Sequence, residues 1–418
     1  MYHKLKDYIL PFAICFIIFI GFWSVESTFY ILISAFIWFF ISDLISGKKN
    51  LNRYRFSKTD LAIIFISIAE IICYLTSVYK PNSFGFTLKI LILSLFYFFV
   101  RFTIKYSYQK QVILFFIAIF GFLLSLLTIF SFLFFQFNIT YEGFKDITEF
   151  RNLYMPLGYY SNEWVTVLLA LLPFQIYALN YGKKQWLKFG FSLSVLLTIF
   201  SILVSFSRGA YVALLSFALI SFMLLYILKI YKPQALLKYY LFFCILSVLF
   251  ITPYYSNAIS TISMFSTTSH QRSFEGRTNV WKNSIQLIKK YPITGIGANN
   301  FSLKYSAINK NEDNPFSGGR VANSFLQLLI EKGIIGVVAY SFLCVVFFTA
   351  SFKKRNKNTY ENVSFFLFVA SVISIFIREM SFSSVFENNG LVLLLFLMIL
   401  NNTHHVEYSE ELSNFFEA

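Results

Sequence analysis

Twelve stretches of this chain are apolar over about the 17 to 25 residues that a helix needs to cross a bilayer, and no soluble fold buries that many. They fall at 8–23, 27–46, 59–79, 84–101, 111–137, 160–181, 187–206, 209–230, 237–254, 323–352, 361–378 and 385–401. With 57% hydrophobic residues, 13% charged residues and 55 Phe in 418 positions, the composition belongs to a membrane protein. The expected fold is therefore an all-α polytopic integral membrane protein of about 12 transmembrane helices. The first apolar run leads straight into the second with no small-residue cleavage site between them, so the first helix is expected to be retained. Cys15, Cys73, Cys244 and Cys344 sit inside apolar runs without pairing or metal spacing and read as small buried hydrophobes.

Placing both termini in the cytoplasm makes the connections alternate, and the basic residues test that choice. Inside segments collect Lys48, Lys49, Arg53, Arg55 and Lys58, then Lys183, Lys184 and Lys188, then Lys353, Lys354, Arg355 and Lys357. The short outside connections hold few, among them Lys80, Lys145, Arg151 and Arg208. This is the positive-inside distribution, and long loops are exempt from it. The net charge of +15 is thus largely a topology signal rather than a nucleic-acid footprint. The predicted organisation is nine helices over 1–254, an extracytoplasmic loop over 255–322, three helices over 323–401 and a cytoplasmic tail over 402–418.

The loop carries the polar island GRTNVWKNSIQLIKKYP, residues 276–292. Val280, Trp281, Ile285 and Ile288 recur at helical spacing, with Lys282, Asn283, Gln286, Lys289 and Lys290 opposite, so the segment predicts an amphipathic helix lying on the membrane or on the bundle. Thr278 or Asn279 is expected to cap its start, and Pro292 with Gly295 and Gly297 to end it. Arg277 would then stand at the helix start, where free N–H groups and the dipole attract anions. Arg208 lies in Ser207-Arg208-Gly209-Ala210 between two apolar runs with almost no loop, at a depth where an arginine is costly. Two guanidinium groups at one membrane boundary suit a lipid-linked phosphate. Arg272 and Arg320 would add to the field.

Three blocks carry a resemblance. They are Ser207-Arg208-Gly209-Ala210; Gly276-Arg277 with Trp281 and then the run from Tyr291 to Phe301 (YPITGIGANNF); and the run from Asn323 to Gly336 (NSFLQLLIEKGIIG). Weaker support comes from Gly158 to Trp164 (GYYSNEW), ahead of Pro173. In this order, around a large external loop, they resemble the O-antigen ligase and polymerase family of bacterial envelope glycan assembly. The resemblance covers about 155–350 and implies a GT-C-like membrane glycosyltransferase. Its reaction would move a glycan from an undecaprenyl diphosphate carrier to a sugar hydroxyl at the outer face of the cytoplasmic membrane, without a metal or other cofactor. Arg208 and Arg277 take the family's arginine positions and are implied as catalytic contacts to the diphosphate, with Arg272, Arg320, Asn323 and Glu163 as substrate-binding candidates. Donor glycan, acceptor glycan, bilayer and other polysaccharide-assembly proteins are the implied partners.

One position departs from the pattern. Family ligases carry a His before the Asn of the third block, and this chain has Ala322, which can take no proton. His270 and Glu275 are the candidate replacement bases, with Glu163 and Glu331 as further carboxylates. The departure favours a polymerase over a ligase. A transporter or flippase stays as a third reading, although no internal repeat of the transporter kind is evident.

Overall fold

The computed structural model describes residues 2–23, 30, 31, 34, 56–104, 107–138, 161–181, 184–205, 207–227, 241, 245, 268–308, 321, 323–353 and 359–380. These residues form helices α1 (Tyr2–Trp23), α2 (Lys58–Leu75), α3 (Lys80–Thr103), α4 (Ser107–Asn138), α5 (Ser161–Tyr181), α6 (Gln185–Leu203), α7 (Arg208–Ile227), α8 (Thr268–Lys290), α9 (Phe301–Ile308), α10 (Ser324–Lys353) and α11 (Thr359–Glu379). No strand occurs among them. Among the described residues, five stretches are long and apolar enough to cross a membrane: Lys80–Thr103, Tyr108–Leu133, Gln185–Leu203, Arg208–Ile227 and Ser324–Ala350. Leu10–Ile20 and Trp164–Asn180 are shorter apolar helices. This all-helical architecture is that of a polytopic membrane protein. The runs at 27–46, 237–254 and 385–401 and the tail at 402–418 lie wholly or mostly outside the described residues.

The described helices divide into two compact units. The second unit, within 111–272 and 354–384, packs α5 against α6 and α11, with α7 also against α11. At its centre is α5, where every residue from Trp164 to Gln175 is buried. Pro173 has no N–H to give, so the Leu169 carbonyl four residues earlier loses its helical donor. The Ser371 hydroxyl of α11 supplies one at 3.1 Å. This is how a membrane helix tolerates proline. Trp164 Nε1 donates to Thr128 Oγ1 at 2.7 Å, and Thr198 Oγ1 donates to Gln175 Oε1 at 2.8 Å. These buried polar pairs cross-link helices in a setting without water.

The first unit, within 1–110 and 273–353, contains α2, α3 and α10 in contact. Helix α2 starts with a capping box in which Asp60 N donates to Ser57 Oγ and Ser57 N to Asp60 Oδ2. The same Asp60 carboxylate accepts from Tyr97 and from Arg101 Nε, at 2.9 and 2.7 Å. The run expected as one span over 323–352 is broken, since Gly333 has φ 58° and ψ −162° inside α10. Beyond the break, 334–353 is about 20 residues and about 30 Å of helix, enough to cross the hydrocarbon core.

Before the break, the start of α10 joins α8 and α9 in a cap with its own core. Val280, Leu287, Ile296, Phe301, Tyr305, Val321 and Ile330 are buried together, with Trp281, Ile288, Tyr291 and Leu326 packed against them. This packing places the apolar face of α8 on protein. Trp281 Nε1 also donates to the Val321 carbonyl at 2.8 Å.

Asn300 ties the cap to the turn between α2 and α3. Its Nδ2 lies 2.9 Å from Ser77 Oγ, 3.2 Å from the Tyr79 carbonyl, 3.1 Å from Ser83 Oγ and 3.0 Å from the Ile296 carbonyl. Asn300→Leu would strand buried acceptors at about 1–3 kcal/mol each. We expect it to lower the unfolding midpoint clearly in a thermal melt. Its neighbour Asn299 has φ 57°, so Asn299→Gly should leave the midpoint level or raise it.

Candidate functional site

In the second unit, Arg208 is the first residue of α7 and is half-buried. Ser207 caps that helix, its Oγ accepting from Ala210 N at 3.4 Å and its carbonyl from Tyr211 N at 3.1 Å. The Tyr211 hydroxyl reaches back to the Leu203 carbonyl at 2.8 Å, and Ser205 Oγ donates to the Ile202 carbonyl at 2.6 Å. The end of α6 and the start of α7 are therefore pinned. A cation at a helix N-terminus works against the dipole, and Arg208 holds that position.

Gly209 faces Arg378 of α11, whose Cγ would lie 3.6 Å from a Cβ placed there. Arg378 Nη1 donates to Glu379 Oε1 at 2.8 Å, and the two residues are 2% and 0% exposed. This buried ion pair was not singled out by the sequence reading. Its signal was an Arg-Glu dipeptide closing an apolar run, and ionisable groups within membrane helices mark function by default.

In the first unit, the structure corrects the placement of Arg277. The helix begins at Thr268, so Arg277 lies well inside α8 and neither Thr278 nor Asn279 caps it. Gly276 alone, at about 1 kcal/mol against Ala, does not stop a helix that has tertiary support downstream. Arg277 therefore presents a guanidinium without the N–H groups of a helix terminus. Arg277 is half-buried and continues the stripe of Val280, Ser284 and Leu287, which are 2%, 0% and 2% exposed. Ile285, expected on the packed face, is 46% exposed, and Leu287 takes the inward position. Lys282, Gln286, Lys289 and Lys290 are exposed, so Arg277 stands apart from the basic outer face.

The helix ends where expected. Gly295 N donates to the Tyr291 carbonyl at 3.2 Å, and Gly295 and Gly297 have φ of 70° and 89°. The returning chain then repairs the break in α10. Ile296 N and Gly297 N donate to the Ile330 and Glu331 carbonyls at 3.0 and 2.9 Å, while Ile334 N and Ile335 N donate to Pro292 and Ile293 at 3.0 and 3.2 Å. Cys73 Sγ donates to the Lys332 carbonyl at 3.4 Å. Backbone groups freed by the break are thus satisfied by the segment that follows Arg277. A Cβ on Gly333 would collide with the Ile293 carbonyl, and one on Gly295 with the Glu331 backbone, so the two strands of chain meet through glycine.

Below the break, Lys332 of α10 pairs with Glu70 of α2, and both are buried. Tyr340 donates to the other Glu70 oxygen at 2.7 Å, and Lys332 Nζ lies 4.4 Å from the Phe86 ring centroid. Neither Glu70 nor Lys332 was picked out as a site residue. A lone carboxylate in the apolar run of α2 was the available signal.

Asn323 caps α10, its Oδ1 accepting from Phe325 N and Leu326 N at 3.0 Å each. Glu331 is buried and accepts from Gln327 Nε2 at 3.3 Å. His270, Arg272 and Glu275 lie on α8 and Glu163 on α5, but their side chains are outside the described residues, as are Arg320 and Ala322 entirely.

Residues 193–341 match the sequence profile of the family described as O-antigen ligase. These residues form an O-antigen ligase family domain. It runs from within α6 into the second part of α10, and so takes in Arg208, Arg277, the cap and the break at Gly333. The family indicates O-antigen ligase or polymerase-like activity on a lipid-linked glycan, and with the apolar helices it indicates a multi-pass protein of the inner membrane. No match to the chain is found among curated proteins.

Proposed function

We propose that the O-antigen ligase domain of this chain polymerises glycan repeat units carried on undecaprenyl diphosphate, at the outer face of the cytoplasmic membrane. In each transfer the bond from the anomeric carbon of the donor sugar to the diphosphate breaks. A bond forms from that carbon to a hydroxyl of the acceptor glycan, whose proton passes to a base. Undecaprenyl diphosphate leaves with one more unit of charge on its terminal phosphate. Arg208 and Arg277 neutralise that growing charge, which favours the transition state over the ground state. Metal-independent transfer is part of the proposal, with both termini cytoplasmic and the 255–322 loop outside.

The observation that carries polymerase over ligase is Ala322, because the proton acceptor that family ligases place there is missing. His270 and Glu275 are the proposed bases, with Arg272, Arg320, Asn323 and Glu163 as further substrate contacts.

Deleting the gene separates the readings by what accumulates. A polymerase leaves single lipid-linked repeats, exposed to the outside. A ligase leaves long lipid-linked polymer without acceptor, and a flippase leaves repeats that external reagents cannot reach. Either of the last two outcomes overturns the proposal.

A further inference from the structure

Three segments of the first unit meet at the break in α10. Val78 N, in the turn between α2 and α3, donates to the Ile296 carbonyl at 3.1 Å, and Ile334 N, just past the break in α10, donates to the Pro292 carbonyl at 3.0 Å. From there α10 exposes Ile334, Val338 and Val345, at 50%, 49% and 58%, along one side, and α2 exposes Leu75, Ile68 and Leu61. An exposed apolar side of that length on α10, which is long and apolar enough to cross a membrane, faces lipid, and its limit at the break marks the headgroup boundary.

Around that limit the exposed side chains change character. Ile293 is 61% exposed and Tyr79 48%, and beside them Lys80, Lys289 and Lys290 are exposed, with Lys282 two turns further along α8. Lys290 Nζ sits 5.7 Å from the Tyr291 ring centroid, a Lys-Tyr pairing suited to the interface. The surrounding sequence has no acid to neutralise these lysines: 71–100 and 276–311 contain neither Asp nor Glu. Salt bridges within these stretches therefore cannot account for the charge.

We propose that Lys80, Lys282, Lys289 and Lys290 form a docking surface for anionic phospholipid headgroups, which holds the cap against the membrane boundary. The lipid is bound by charge and by the adjoining Ile293 and Tyr79, and it is distinct from the lipid-linked donor. Arg277, on the inward stripe of α8, takes no part.

The test uses the full-length protein in nanodiscs of phosphatidylcholine with or without phosphatidylglycerol, read by native mass spectrometry of retained phosphatidylglycerol and by thermal unfolding. One lysine near an anionic surface is worth about a fivefold change in binding. The variant with all four lysines changed to Gln should lose retained phosphatidylglycerol by more than that factor, and should melt with wild type in pure phosphatidylcholine. The four Lys→Arg changes should restore retention. If the fourfold Gln variant melts early, Lys289→Gln with Lys290→Gln carries the same test. Equal retention by wild type and Gln variant overturns the proposal. So does displacement of phosphatidylglycerol by added undecaprenyl diphosphate, which would make the surface a donor contact.

Discussion

Arg208→Ala and Arg277→Ala should each lower turnover of a lipid-diphosphate-linked glycan by about a hundred- to a thousandfold, the cost of removing one preorganised donor to developing charge. The reasoning differs for the two. Arg208 begins α7, where its charge opposes the dipole, and the Ser207 cap, the Ser205 turn and Tyr211 hold it there nonetheless. Arg208→Ala should therefore lower turnover far more than it moves the unfolding midpoint. Arg277 lies mid-helix on the stripe of Val280, Ser284 and Leu287. Lysine keeps the charge at either site but loses the planar fork, so Arg→Lys should fall between wild type and Ala. The measurement is the initial rate of lipid-linked product formation by purified variants, beside their melting curves.

The second large effect concerns Glu70 and Lys332. Glu70→Ala should cost about 3–5 kcal/mol, since it leaves the Lys332 ammonium buried without its carboxylate. Part of the loss should appear as detachment of the cap, because Lys332 sits at the break that the 291–297 segment stitches. Replacing both partners by apolar residues, Glu70→Leu with Lys332→Met, should recover most of the stability, as such swaps often do. Turnover should stay low in the double variant, because the break then has no charge pair to fix its register. Unfolding midpoints read the first effect and protease sensitivity of the 255–322 loop the second. A Glu70→Ala midpoint within a degree of wild type would contradict this view of the pair.

How far these features were legible in the sequence depends on the range of the interactions behind them. Long apolar runs and Lys/Arg asymmetry act locally, and the helices at 84–101, 187–206 and 209–230 appear within a few residues of their expected ends. The stop at Pro292 and Gly295 was legible for the same reason. The start of α8 was not: nothing in 268–276 marks a helix, and its persistence to Thr268 moves Arg277 away from a terminus. The break at Gly333 was also hidden. The run 323–352 reads as one long, largely apolar stretch, and the partners that make a break tolerable come from 292–297 and from Cys73, far away in sequence. Glu70, Asn300 and Arg378 act through contacts with distant parts of the chain, so their chemistry was visible while their roles were not.

The most direct measurement offers the purified full-length protein, reconstituted in liposomes, a single species: undecaprenyl-diphosphate-linked repeat unit, with no other acceptor. The account predicts lipid-linked products lengthened by whole repeats, formed in step with free undecaprenyl diphosphate and abolished by Arg208→Ala or Arg277→Ala. Glycan that stays one repeat long, or lengthening that survives both substitutions, would contradict it.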